Sequence, residues 1–195
     1  MSKNIKTILF TILGVILFGI IAMIAGAYSG ISDVAATKPE RGLMSWFMNT
    51  TKDHSIRSRA QYIAVPSLND SALIASGFDH YNEMCVTCHG APGKKPDELA
   101  QGLNPAPPNL AESTRDMSPS EMFLVVKNGI KMTGMPGFGP THSDSAVWAM
   151  VAFLQHLQSM SPEEYRAFQK SESNQMTEDM DEHHHTNEKQ IHHTH

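Results

Sequence analysis

The chain has 195 residues, a length that allows one domain with extensions or at most two small domains. Aromatic residues make up only 7%, which suits a small domain whose core is partly filled by something other than side chains. The formal net charge of −5 gives no reason to expect a nucleic-acid partner.

The N-terminus carries a long apolar segment. Residues 7–28 contain no charged side chain, and these 22 residues would span about 33 Å as a helix, enough to cross a hydrocarbon core of about 30 Å. A cleaved signal peptide is the alternative, because Ala25, Gly26 and Ala27 resemble a cleavage site. The apolar run is longer than the usual signal-peptide core of about 7–15 residues. We therefore predict a retained membrane anchor over 1–28.

A linker is predicted over residues 29–69, where Gly30, Pro39, Gly42 and Pro66 interrupt regular structure. Within it, the stretch GLMSWFMN (42–49) is rich in large apolar side chains. Tryptophan is favoured at membrane interfaces, so this stretch could lie on a bilayer. A short helix packed on the folded domain is equally compatible with the sequence.

A folded domain is predicted over 70–170. Its first helix begins near Asp70, a good N-cap residue. The apolar stripe at helical spacing that follows consists of Leu73, Ile74, Gly77, Phe78, Tyr81 and Met84. Glycine is costly inside a helix, so Gly77 predicts that another backbone approaches closely there.

Further helices follow from capping signals. Ser118, Pro119 and Glu121 form a predicted capping box, and Gly129 stands where that helix would end. Residues 130–140 hold three glycines and two prolines and must be a loop. The next helix begins at Ser143 or Asp144, and the capping signal recurs at residues 161–164. No segment alternates as a strand would, so the predicted fold class is all-α, without internal repeats.

The motif CVTCH (85–89) contains the two cysteines of the chain. A C-x-x-C pair can be a redox dithiol, half of a zinc site or a haem attachment point. A zinc site needs about four ligands, and only His80 and His142 stand out as isolated further candidates. A redox dithiol should follow a βαβ pattern, which is missing here. The adjacent His89 favours covalent haem, with the two thiols joined to the ring and the imidazole offered to the iron.

A second axial ligand would decide what such an iron does. The loop KMTGMPGFG offers two thioethers, Met132 and Met135, and Pro136 stiffens the backbone after the second. Methionine also pads cores, and the chain has 13 methionines, so the loop alone leaves both interpretations open.

Residues 73–160 resemble a class I c-type cytochrome domain. The resemblance is closest to the short monohaem kind found in haem subunits of bacterial terminal oxidases and in membrane-anchored periplasmic cytochromes. The matching features are Cys85, Cys88 and His89, the triplet 108–110, the triplet 134–136 and the helix carrying Trp148.

This resemblance implies one covalently bound haem c. Cys85 and Cys88 would form the thioethers. His89 would ligate the iron through Nε2 while its Nδ1–H donates to the carbonyl of Pro108. Met135 would be the sixth ligand, with Met132 as the fallback. Leu110 and Trp148 would pack near the porphyrin, and the Gly77 helix would cross the Trp148 helix.

The expected function is electron transfer by a membrane-tethered carrier that is not itself an enzyme. The resemblance places the haem domain in the periplasm, anchored to the bacterial inner membrane. Residues 73–168 carry six basic and ten acidic side chains, a net charge of −4, which suits redox partners with a basic docking face. The alternatives are a cytochrome subunit of an oxidase or dehydrogenase complex, and a haem or metal sensor.

Residues 171–195 are acidic and histidine-rich, with almost no core-forming side chains, and are predicted to be disordered. Such a tail can bind a divalent metal ion or remain a solvated extension. The candidate ligands are His183, His184, His185, His192, His193 and His195.

Overall fold

A computed structural model describes residues 3–31, 33–38 and 42–170. The predicted tail at 171–195 and its histidines lie outside the described residues. The helices are α1 (Lys3–Tyr28), α2 (Leu43–Ala60), α3 (Ser71–His80), α4 (Val86–His89), α5 (Glu98–Gln101), α6 (Leu110–Ser113), α7 (Pro119–Asn128), α8 (Asp144–Leu157) and α9 (162–170). No strand occurs among these residues, where only an isolated bridge joins Ala91 and Lys94. The all-α prediction is confirmed.

The apolar N-terminal segment is a single helix, α1. It belongs to a compact unit that ends at Ala36, separate from the unit that begins at Thr37. Within the described part of the chain, α1 is the one helix whose length and composition would let it cross a membrane. All of its side chains are exposed. That length and composition are compatible with a membrane anchor.

The predicted linker contains a helix that the sequence left undecided. Helix α2 spans 18 residues of the region 29–69 and packs against α7. Arg57 near its end lies 3.8 Å from a carboxylate oxygen of Glu121 on α7. Residues 43–60 are therefore part of the folded unit rather than linker.

The core is built where α3 crosses α8. A β-carbon added to Gly77 would lie 2.0 Å from the carbonyl oxygen of Ala149, so the two backbones meet at this glycine. Phe78 and Phe153 flank the crossing with ring centroids 5.4 Å apart. Both rings are buried, as are most side chains of α8. The close approach predicted at Gly77 is confirmed.

The capping predictions are confirmed at four helices. Asp70 and Ser143 accept hydrogen bonds from backbone N–H groups in the first turns of α3 and α8. Ser118 and Glu121 form a complete capping box on α7. Ser161 begins α9 in the same way, since its N–H donates to the carboxylate of Glu164 at 2.7 Å. These caps satisfy N–H groups that have no partner inside a helix.

The loop 130–140 folds back along the end of α7. The N–H groups of Phe138 and Gly139 donate to the carbonyls of Val126 and Lys127 at 3.0 and 2.8 Å. Lys127 also reaches Asp144 at the start of α8, with 2.6 Å between Nζ and Oδ1. The loop is therefore fixed between α7 and α8.

Candidate haem-attachment site

The two cysteines lie where α3 gives way to a wider turn. Residues Tyr81–Cys85 form a π-helical turn that continues α3 into α4, which carries Cys88 and His89. Gly90 ends α4 with φ of 67°. The buried hydroxyl of Tyr81 donates to the Gly90 carbonyl at 2.6 Å. This hydrogen bond joins residues on either side of the motif CVTCH (85–89). Single π-turns inside helices are frequent at functional sites.

The His89 ring is held in one tautomer. Its Nδ1 lies 2.8 Å from the carbonyl oxygen of Pro108. A carbonyl oxygen can only accept, so Nδ1 carries the hydrogen and Nε2 of the neutral ring keeps its lone pair. Burial lowers the pKa of His89, while the Pro108 hydrogen bond acts in the opposite direction. The neutral ring with a free Nε2 is the form that binds a metal.

The thiols of the motif are free and half-buried. Burial, and secondarily the neighbouring Cys88, raises the pKa of Cys85 to about 12. Reactive dithiols have the opposite property, a thiolate stabilised at a helix N-terminus or beside a cation. The redox-dithiol interpretation therefore has no support from the surroundings of Cys85.

The Pro108 carbonyl is held by the start of α6. Asn109 caps this short helix by accepting from the Ala111 N–H at 3.1 Å. Thr114 closes its other end by donating to the Leu110 carbonyl at 2.6 Å. These hydrogen bonds hold residues 108–110 in place. The Pro108 carbonyl, which accepts from His89, is therefore held as well.

The two candidate methionines differ in their surroundings. Met132 has φ of 61° and an exposed fraction of 78%, whereas Met135 is half-buried. The Met135 N–H donates to Thr133 Oγ1 at 3.1 Å, and the Met135 carbonyl accepts from the Ile130 N–H at 3.2 Å. The backbone N–H and the carbonyl of Met135 thus both form hydrogen bonds that hold the residue in place, and Met132 is not held in this way.

Half-buried apolar side chains pack against the core around these elements. They include Met84, Leu110, Met117, Phe138 and Trp148. Trp148 stacks on Phe123 with ring centroids 4.2 Å apart and an angle of 20° between the planes. Large apolar side chains that are only partly covered suit a site for a flat apolar group. Together with two free thiols and an imidazole with a free Nε2, they fit a covalently attached haem.

The two isolated histidines are in fact neighbours. The rings of His80 and His142 meet edge to face with centroids 5.3 Å apart, although 61 positions separate them in the chain. Across the described residues, no group of three or more His, Cys, Asp or Glu side chains has the arrangement of a metal site. The zinc interpretation of the cysteine pair therefore lacks a ligand set in this part of the chain.

Two polar contributions are not evident from the sequence. The apolar stripe predicts Tyr81 as a core residue, and nothing in the sequence indicates that its hydroxyl reaches Gly90. Thr133 supports Met135 through Oγ1, which also donates to the Ile130 carbonyl at 2.7 Å. A threonine two positions before a methionine in a glycine-rich loop is the only signal that could have indicated this contact.

Comparison with known families identifies a matching family model. Residues 72–154 match the family model described as cytochrome C oxidase, cbb3-type, subunit III. The match begins at the second residue of α3 and ends within α8, so it covers the cysteine motif, His89, Pro108 and both methionines. No curated protein matches the chain.

Proposed function

From the premise that residues 72–154 form a class I c-type cytochrome domain of the terminal-oxidase type, we propose that the chain is a membrane-tethered electron-transfer protein. The observation that carries this proposal is the hydrogen bond of 2.8 Å between His89 Nδ1 and the Pro108 carbonyl, directly beside two free thiols. It leaves one imidazole nitrogen available in a fixed orientation.

Cys85 and Cys88 would hold one haem c through thioether bonds, and His89 would ligate its iron through Nε2. Bound haem supplies one-electron redox chemistry. The backbone carbonyl of Pro108 would keep the ring of His89 oriented and raise its basicity, as partners of metal-bound histidines commonly do. Leu110 and Trp148 would contribute apolar cover.

Met135 is the proposed sixth ligand. Its half-buried side chain and the two hydrogen bonds that hold its backbone support this choice over Met132, whose side chain is largely exposed. A thioether opposite an imidazole favours ferrous iron and raises the reduction potential. Ligation by both His89 and Met135 would leave no coordination position open for oxygen or peroxide. That arrangement suits a carrier rather than a catalyst.

The proposed location is supported by α1 and by the family match. An exposed apolar helix at the N-terminus is compatible with an anchor, and c-type haem is attached on the outer face of the bacterial membrane. We place the haem domain in the periplasm on the inner membrane. A tether raises the local concentration of the domain near membrane-bound redox partners, and the net charge of −4 over 73–168 suits partners with a basic docking face.

A second candidate is a non-catalytic subunit of an oxidase complex, because the matching family is described as an oxidase subunit. The two candidates differ in the species isolated under mild detergent conditions. An independent carrier is isolated alone, whereas a subunit is isolated with partner chains. Metal binding by the tail histidines remains a prediction from the sequence.

The ligand set is tested by replacing each methionine in turn. We expect Met135→Ala to remove the weak long-wavelength band that marks methionine–iron ligation in oxidised c-type cytochromes, and to lower the reduction potential. Met132→Ala should leave both unchanged, because its side chain is exposed. The measurement is the optical spectrum of the oxidised full chain, with a redox titration. Loss of the band in Met132→Ala alone would reverse the assignment.

A further inference from the structure

Helix α2 packs inward with a side that mixes polar and apolar residues. Most half-buried positions of α2 recur at helical spacing and form the side that faces the folded unit: Ser45, Met48, Lys52, Ser55 and Ile56, ending at the buried Ala60, while Thr50 is half-buried outside this stripe. The first turns instead expose large apolar side chains. We call Leu43, Met44, Trp46 and Phe47 the apolar patch, with exposed fractions of 78, 60, 62 and 54%.

The first turns of α2 depart from the usual arrangement of a surface helix, whose apolar stripe faces the core. Single exposed apolar residues need no explanation, but four within five positions form a contiguous patch of the kind that marks an interaction site. The remaining exposed side of α2 is polar and includes His54, Arg57 and Ser58. The patch is therefore confined to the end of α2 nearest in sequence to α1.

The length of the connection limits what the patch can reach. Fourteen residues, 29–42, join α1 to α2. Fully extended, these residues reach at most about 50 Å. If α1 crosses a bilayer, the surface of that bilayer is always within reach of the patch, at a high effective concentration. No other apolar surface has this guaranteed proximity.

Charge and composition favour a lipid surface. Residues 37–60 carry five basic and two acidic side chains, a net charge of +3, whereas residues 73–168 carry −4. Basic side chains beside an apolar helix face are attracted to anionic lipid headgroups. Tryptophan, which here is Trp46, is enriched at the headgroup level of membranes. Lys52 lies on the inner side of α2 beside Asp53, and Arg57 pairs with Glu121, so the apolar patch with Trp46 is the main feature that favours lipid.

We infer that the first turns of α2 dock on the surface of the bilayer that α1 crosses, with the apolar patch immersed about 5–10 Å at the headgroup boundary. This inference rests on the proposed membrane anchor. Because α2 packs against α7 and its Arg57 pairs with Glu121, docking would fix the orientation of the haem domain above the membrane. The protein would then present one side to its redox partners instead of rotating freely on its linker.

The test uses the full haem-containing chain in vesicles of zwitterionic and anionic phospholipid. Two otherwise identical vesicle preparations differ in bromine on the upper acyl carbons, which quenches nearby tryptophan fluorescence. We expect bromine to reduce the emission, and Trp46→Phe to abolish that reduction. Trp148 is half-buried and stacked on Phe123, so it contributes a background independent of bromine.

A matched control moves the tryptophan to the other end of α2. Tyr62 is 83% exposed and lies just beyond the C-terminus of the helix, about 25 Å from the patch along the axis. Tyr62→Trp in the Trp46→Phe background should restore emission without restoring quenching by bromine. Equal quenching at both positions would overturn a docking confined to the patch.

Flotation of the vesicles and the haem spectrum are recorded on the same samples, so that failures can be separated. A chain that floats with the vesicles and is unaffected by bromine overturns the inference and leaves the anchor in place. The same result is expected if the patch binds a partner protein instead of lipid. A chain that does not float removes the anchor and the inference together. A missing haem spectrum contradicts the proposed electron carrier instead.

Discussion

Gly77→Val is expected to lower the free energy of unfolding by about 3 kcal/mol or more, at the upper end of the range for overpacked cores. An added β-carbon would lie 2.0 Å from the Ala149 carbonyl oxygen and 2.9 Å from Cβ of Phe153. The nearest obstacle is backbone, so α3 and α8 must separate. For a domain of this size, the melting temperature should fall by more than about 10 °C.

The matched control is Gly102→Ala, at the end of the short helix α5. An added β-carbon there would meet only the Leu99 carbonyl oxygen, at an ordinary distance of 3.7 Å, and φ is −87°. We expect thermal unfolding of this variant to follow the wild type closely. Equal melting temperatures for Gly77→Val and Gly102→Ala would show that the helix crossing does not limit stability.

His89→Gly is expected to abolish the six-coordinate haem spectrum that the proposed ligation by His89 and Met135 would give. The variant lacks the one imidazole that the Pro108 carbonyl orients beside the cysteines. Its removal leaves space for a free imidazole molecule, so adding imidazole to the attached-haem form should restore the six-coordinate spectrum. The readouts are the yield of haem-containing chain and its spectrum with and without imidazole.

His142→Gly serves as the control for that experiment. His142 lies against His80 and Phe138 and belongs to no motif that would hold haem. Its replacement should leave the spectrum as in the wild type, with or without imidazole. If His89→Gly kept the wild-type spectrum, another residue would have to be the fifth ligand.

Local signals allowed much of the fold to be predicted. Caps at Asp70, Ser118 and Ser161 depend on hydrogen bonds within three positions of the cap, so the sequence contains all the information needed. Gly77 could be interpreted because an interior helix glycine has few reasons to exist other than a close backbone. The cysteine motif could be interpreted because its two thiols and its imidazole lie within five consecutive residues.

Features that depend on tertiary packing were not predictable. The inner side of α2 mixes half-buried Ser45, Lys52 and Ser55 with Met48 and Ile56, so its apolar pattern was too weak to indicate packing on α7. The contact between His80 and His142 depends on how the end of α3 meets the loop before α8. The difference in exposure between Met132 and Met135 likewise follows from the path of the loop and not from its composition.

The central claim is that one porphyrin is covalently bound to this polypeptide through Cys85 and Cys88, and intact mass spectrometry of the exported chain under denaturing conditions tests it most directly. The account predicts a single species heavier than the polypeptide by one haem, with the added mass on the fragment that contains residues 85–89. A chain with the mass of the polypeptide alone and two alkylatable thiols would contradict it.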